Sequence, residues 1–479
     1  MKYFDLIREK LSSLWPMWSV IMLVAIWSIY IQDGHINRDG LLYLKQAYLI
    51  AEGSWKEGLA LYPWPFFSIL IAIFHKFTNL HFQVVAHGVD LALFGIAILF
   101  YLKTLQLIYN KEKHIIFYGG VILLSFIPIM DDYVGMVLRD HGLWAGCMMG
   151  TYFYSKNLKQ YSLKNSITWQ LGFLFAGLFR PEGLVFVILL PLWNLTQNKT
   201  QKLKQLVLDY SLCILAAILA LLVILFSNID LMNVMSSSRL TEFLNRPILF
   251  LQQLVKPLPV QTDNEYLSNL FENYSLIITY AVLFSVLIFK WIKGLGVLHG
   301  GLFFYSLFAK KKIKNNYQKY IYFFLIVSFI LVSINLFNVY VLTNRYWGFH
   351  WWWIFILITP VILIIFKDGK VNRFIKKILG ITIAFFILNC LIDKNESLEQ
   401  EVADYLKENA LQQVDFQEHQ RIKYYVNYSI QDLVKDENNQ SSPLYKLYKI
   451  NNVVNIDQKI IIKNFPETKT KFILTKHAQ

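Results

Sequence analysis

Charge is scarce in this sequence. Asp, Glu, Lys and Arg together make up 16% of the 479 residues, where a soluble globular protein carries about a quarter. Apolar residues fill 56% of the chain and the mean hydropathy is +0.41, so a soluble globular chain is excluded and an integral membrane protein is implied. Cysteine is also rare. Cys147, Cys213 and Cys390 each sit inside an apolar run, which argues against a disulfide framework or a thiolate metal site and leaves them as small core residues. The apolar–polar alternation of a membrane barrel is missing, so the spans are helices, the other way to satisfy every backbone group in lipid. No internal repeat stands out. No small-residue cleavage site follows the first apolar run, which reads as a retained helix and not a removed signal peptide.

What is present is a succession of apolar runs near the roughly 17 to 25 residues needed to cross hydrocarbon. The formal charge of +14 fits cytoplasmic loops rich in Lys and Arg rather than nucleic-acid binding. Lys2, Arg8 and Lys10 precede the run Leu14 to Ile31 and place the N-terminus in the cytoplasm. The same bias then orients the runs that follow. Val84 to Leu102 ends at Lys103, Lys111 and Lys113, and Ile115 to Met130 ends at Asp131 and Asp132, read as a solvated helix end. A fourth helix starts at Arg139-Asp140-His141 and descends to Lys156, Lys159 and Lys164. The fifth, Ile167 to Phe179, rises to Arg180-Pro181-Glu182, and the sixth descends to Lys199, Lys202 and Lys204. Leu206 to Phe226 crosses before the long polar stretch 227–274, too long for an ordinary connector. The segment 275–309 is interrupted at Lys290, Lys293 and Gly294, and the basic cluster Lys310 to Lys314 allows it one net crossing. Tyr320 to Asn338, Tyr346 to Phe366 and Leu379 to Ile392 complete the set. The expected fold is an all-α polytopic membrane protein with about eleven transmembrane helices, spanning residues 1–392. A small soluble α/β domain over 393–479 follows, outside the cytoplasm. The setting this implies is a plasma (inner) membrane, crossed many times.

The first polar interval after the first run, within the loop 32–65, holds Asp39 beside Arg38. Leu41, Leu42, Tyr48 and Leu49, flanked by Lys45 and Glu52, read as a short interfacial helix, and the run Phe66 to Phe77 as a partly embedded return. On this topology Asp39, Asp131, Asp132, Arg139, Asp140, His141, Arg180, Glu182 and Arg345 share the extracytoplasmic face. Transporters usually place ionisable groups nearer the midplane. A cluster of both signs at one face suits chemistry between a lipid-borne anion and a polar partner, with Arg as a fork for phosphate and a carboxylate as base. Blander readings stand beside these. Asp39 also fits the N-cap of its helix, and Arg345 and Arg180 fit interfacial anchors. His141 fits an orienting partner of Asp140 or a helix cap better than a metal ligand, because no second His stands at ligand spacing. Trp351, Trp352 and Trp353 fit an aromatic belt.

Four stretches in order resemble the GT-C glycosyltransferases. RDGLLYLKQAYLIAEG followed by YPWPFFSILIAIFHKFTN is similar to their first-loop signature, in which an acid precedes a Tyr and an Ala-containing helix and a Pro-containing segment re-enters the membrane. RDHGLWAG, FRPEGL and NRYWGFHWWW, the last resembling the Arg-Tyr that opens a late helix, follow. The resemblance lies toward the protein O-mannosyltransferase and aminoarabinose transferase branch. It implies transfer of a sugar from a polyprenyl-phosphate donor to a hydroxyl on a lipid, glycan or protein acceptor. Asp39 would be the general base, Arg345 and then Arg180 would hold the donor phosphate, and Asp140, His141, Arg139, Glu182 and Tyr62 would position substrate. Gly40 stands where many relatives have a second carboxylate, so no cofactor is assigned; a divalent metal is compatible but not indicated. Membrane lipids are the remaining expected partners, and nucleic acid is not among them. The rival readings are a flippase or transporter of polyprenyl-linked sugars, or a polymerase of repeat units.

Overall fold

The computed structural model describes residues 7–32, 36–197, 202–215, 245, 248–249, 251–252, 265–308, 317–367, 373–392, 398–408, 414–415, 420–427, 445–450, 461–466 and 471–476. The chain divides into two compact units. The first comprises Met1–Ser28, Asp90–Val134 and Leu138–Leu391, and the second Ile29–Val89, Gly135–Val137 and Ile392–Gln479.

Helices α1 (Leu14–Ile31), α2 (Arg38–Ala51), α3 (Trp55–Leu61), α4 (Phe66–Thr78) and α5 (Phe82–Ile108) come first in the chain. They are followed by α6 (Ile115–Leu124), α7 (Asp140–Lys159), α8 (Leu163–Phe179), α9 (Glu182–Gln197), α10 (Lys202–Asp209) and α11 (Glu265–Phe308). Then come α12 (Gln318–Val339), α13 (Gly348–Lys367) and α14 (Arg373–Asn389). Among the described residues, five helices are long and apolar enough to cross a membrane, and Phe66–Thr78, Ile115–Leu124 and Glu182–Thr196 are shorter apolar helices.

Three expectations change here. The third apolar run does not stay helical to Met130: α6 stops at Leu124, and Pro128–Tyr133 forms a π-helical turn. Pro128 cannot donate to an α-helical ladder, so a wider turn replaces it. Within that turn Asp132 is exposed but Asp131 is buried, so only one of the pair is a solvated helix end. Residues 275–308 are helical on both sides of a break at Gly296, two residues beyond the expected Gly294. Gly296 has φ +67° and no atom within 4 Å of a Cβ placed there, a backbone state glycine adopts freely. Most of Leu206 to Phe226 and of the stretch 227–274 lies outside the described residues.

The core of the first unit is α13. Every residue from Gly348 to Leu363 is buried, as expected of a helix apolar all round. Trp351, Trp352 and Trp353 are consecutive, so the helical repeat of 3.6 residues per turn points them in three directions. Trp351 packs on Phe126 at 4.8 Å and stacks on Tyr133. Trp352 meets Tyr101 at 5.5 Å and Phe94 at 6.1 Å. Trp353 stacks on Phe324 at 5.1 Å and donates its Nε1–H to Thr151 Oγ1 at 2.9 Å. The three indoles are fully buried, so they form an interior and not the aromatic belt expected of them.

The tightest helix pair is α7 against α8. Gly142, Gly146 and Gly150 recur every fourth residue and put one bare stripe of α7 against Phe179, Ala176 and Phe173. A methyl group at Gly146 would lie 2.3 Å from the Ala176 backbone nitrogen. Small residues at this spacing let backbones approach and pack where lipid offers no hydrophobic drive. The result is that the start of α7 and the end of α8 are held side by side.

In the second unit α2 buries Leu41, Tyr43, Leu44, Lys45, Gln46, Ala47 and Ile50. Gln46 donates from Nε2 to the carbonyls of Gly58 and Tyr62 at 2.8 and 2.5 Å, pinning α3 and the turn after it. The C-terminal part adds α15 (Leu398–Glu408), α16 (Gln420–Asn427) and strands β1 (Val414–Asp415), β2 (Tyr445–Ile450), β3 (Ile461–Pro466) and β4 (Lys471–Lys476). The strands lie in the order β1-β2-β4-β3, with β1 parallel to β2 and the other pairs antiparallel.

Gly146→Val should lower stability by about 1–3 kcal/mol, the usual range for overpacking. A fall in the thermal midpoint of the detergent-solubilised protein measures it, and a variant as stable as the parent would refute the close approach of α7 and α8.

Candidate functional site

The side-by-side ends of α7 and α8 carry the charged residues. Asp140 opens α7, Arg180 terminates α8 in an extended conformation, and Glu182 opens α9. Arg180 bridges the other two. Its Nη1 donates to Asp140 Oδ1 at 2.5 Å, its Nη2 to Glu182 Oε1 at 2.6 Å and its Nε to Glu182 Oε2 at 3.3 Å. The grip on Glu182 is bidentate, the geometry in which guanidinium and carboxylate bind most strongly. All three side chains are buried. Burial works against the charge on Arg180, but Glu182 and then Asp140 overcome it and hold the guanidinium above its ordinary pKa.

Two further arginines belong to this group. Arg139 donates from Nη1 to the Phe179 carbonyl at 3.3 Å, at the exposed-carbonyl end of α8. Arg345 sits in the 3₁₀ turn Asn344–Trp347 that leads into α13. The Tyr346 ring is close to both cations, with the Arg180 guanidinium 5.0 Å and the Arg345 guanidinium 5.5 Å from its centroid. Arg139 and Arg345 both act electrostatically on Asp140. The group therefore gathers Arg139, Arg180 and Arg345 around Asp140 and Glu182.

Arg180 was expected at a donor phosphate; its fork is already occupied by Asp140 and Glu182. His141 was expected to orient Asp140 or cap the helix; it turns instead to Asp90, with its Nδ1 2.9 Å from Asp90 Oδ1. The other oxygen, Asp90 Oδ2, accepts the Leu138 N–H at 3.0 Å. Both side chains are about 1% exposed, and the His141 ring packs edge-on to Trp144 at 5.0 Å. Asp90 is the residue that sequence reasoning missed. A carboxylate inside the apolar run Val84 to Leu102 was the available signal, because an ionisable residue within a span needs a partner.

Asp39 and Tyr62 lie in the second unit. Asp39 is half-buried in the first turn of α2, and Asn37, not Asp39, occupies the N-cap position. Asn37 Oδ1 accepts the Val137 N–H at 3.0 Å rather than capping its own helix. Gly40 has no room for a side chain: a Cβ there would stand 2.7 Å from Asn37 Oδ1 and 2.9 Å from Val137 Cβ. The absence of a second acid beside Asp39 therefore has a steric cause. Tyr62 is half-buried, with its ring edge-on to Tyr43 at 6.0 Å. Among the described residues no group of three or more His, Cys, Asp or Glu side chains is placed to hold a metal ion.

Arg180→Met should destabilise the protein by about 3–5 kcal/mol, the cost of leaving buried partners uncompensated. Part of that loss should return when Asp140→Asn and Glu182→Gln are added, and equal thermal midpoints in the single and triple variants would show that the bridge is not what holds this corner. No protein-family model matches the chain, and no curated protein matches it.

Proposed function

We propose that this chain is a membrane glycosyltransferase of GT-C type that moves a sugar from a polyprenyl-phosphate donor to a hydroxyl acceptor. The observation that carries the reading is the arginine-rich group at the ends of α7, α8 and α9. Every member stands at a helix terminus or in a turn, the placement suited to a lipid headgroup at a membrane face. The four sequence stretches that resemble GT-C enzymes supply the second support, and three of them hold Arg139, Asp140, Arg180, Glu182 and Arg345. On this reading about eleven helices cross the bilayer, the N-terminus is cytoplasmic, and the site and the C-terminal α/β domain are extracytoplasmic.

The chemistry assigned to each group follows from its charge. The acceptor oxygen attacks the anomeric carbon while the bond from that carbon to the phosphate oxygen breaks. The acceptor proton passes to the Asp39 carboxylate, and the bonding electrons leave with the lipid phosphate. Arg345, assisted by Arg139, meets the charge that develops on that phosphate. Arg180, with its fork committed to Asp140 and Glu182, fixes Asp140 where it can bind sugar or acceptor hydroxyls.

Asp39→Asn should reduce transfer by about 10²- to 10⁴-fold, the usual contribution of a general base, while donor binding stays near the parent value. Transfer from a polyprenyl-phosphate sugar by the purified protein in nanodiscs, alongside donor binding, measures both. Retention of transfer in Asp39→Asn would remove the base assignment. Movement of the donor between leaflets without transfer would favour the flippase reading.

A further inference from the structure

The second unit joins two parts of the chain that sequence reasoning kept separate: the first loop and the C-terminal segment. Helix α16 carries adjacent tyrosines, Tyr424 and Tyr425, whose side chains are 0% and 2% exposed. The Tyr425 hydroxyl serves the backbone of Ile36 twice. It accepts the Ile36 N–H at 2.7 Å and donates toward the Ile36 carbonyl at 3.5 Å. Tyr424 donates its hydroxyl to Gln83 Oε1 at 2.6 Å, at the start of α5. Helix α15 supports α16 from behind with Val402, Ala403 and Leu406, buried along with Ile422.

Ile36 is a consequential place for such a grip. It is fully buried and immediately precedes the N-cap Asn37, so its backbone sets the entry of the chain into α2. Asp39 lies three residues further on. The next residue is held from another side, by the Val137 N–H on Asn37 Oδ1. Gly40 is then wedged against Ile36, Asn37 and Val137. The segment Ile36 to Gly40 is thus fixed by a hydroxyl from the tail and an amide from residue 137, not by a cap of its own.

We propose that the C-terminal segment is a working part of the first-loop site, with Tyr425 as the positioning residue that holds Asp39 in register by clamping the Ile36 backbone. The tail is then no appended module, and its loss removes activity without touching any residue that meets substrate. This rests on the assignment of Asp39 as base. The physical basis is that reacting groups must be held within fractions of an ångström, and a displacement of about 1 Å costs on the order of 10²-fold in rate.

The test uses the full-length protein in nanodiscs with Tyr425→Phe, which deletes only the hydroxyl, and Tyr424→Phe as a second variant that releases the same helix from Gln83. Amide hydrogen exchange over Ile36 to Gly40 should speed by about fivefold or more in Tyr425→Phe, the effect of losing one hydrogen bond. In transfer assays kcat should fall by about tenfold or more while KM for the donor stays within about twofold; a loss of general packing would not produce that division. Unchanged exchange in both variants overturns the clamp. Faster exchange with unchanged kcat, while Asp39→Asn is inactive, overturns the positioning role and leaves the glycosyl-transfer reading standing. Full transfer by Asp39→Asn overturns the assignment of Asp39 as base and this inference together, while glycosyl transfer itself stands.

Discussion

A guanidinium buried among apolar helices has to be matched by carboxylates within hydrogen-bonding reach, because an isolated buried charge is too costly to keep. Arg180 meets that demand with Glu182 two residues on and with Asp140 forty residues earlier. The first partner is nearly automatic, since Pro181 places Glu182 at the next helix start. The second requires α7 and α8 to run close together, and that is what Gly142, Gly146 and Gly150 allow. The ion bridge and the glycine stripe are therefore one constraint. Side chains on the stripe would part the helices, and the parted helices would strand Arg180 beside a single acid.

The same corner is braced from the side by α13. Gly348 lets the Trp144 ring approach, with a Cβ at Gly348 standing 2.4 Å from that ring. Just before it, the 3₁₀ turn presents Arg345 and Tyr346. The three consecutive tryptophans then lock α13 to α5, α7 and α12 through Trp352–Phe94, Trp353–Thr151 and Trp353–Phe324. Aromatic side chains suit this task because each fills a large volume with few rotatable bonds. The site's cations thus sit on helix ends whose bodies are among the most tightly buried parts of the unit.

Much of this was legible before any coordinates. Apolar run length located most of the long helices to within a few residues, because hydrocarbon thickness fixes a length and charge fixes the ends. The polar stretches at Arg139, Arg180 and Arg345 were legible as a group, because charge stands out against an apolar background. What was not legible is pairing. Nothing in the spacing tells His141 to choose Asp90 over its neighbour Asp140, because the choice depends on how α5 meets the turn at Leu138. The tryptophans were misread for a related reason: an indole at the end of a helix fits both a lipid interface and an interior, and only the neighbours on all sides of α13 decide. The link from Tyr425 to Ile36 spans 389 residues, and local pattern carries no trace of it.

The crowding at Gly40 bears on the chemistry proposed for the first loop. A paired acid at that position would suit a metal-bridged donor, and Asn37 and Val137 leave no volume for one. On the proposed reading, with no acid at position 40, the charge of a departing phosphate would be met by protein cations. The candidates, Arg139 and Arg345, stand in the first unit, where Arg180 is held by Asp140 and Glu182. An arginine serves that role better than a lysine, since its planar fork matches two phosphate oxygens and it stays charged when partly buried.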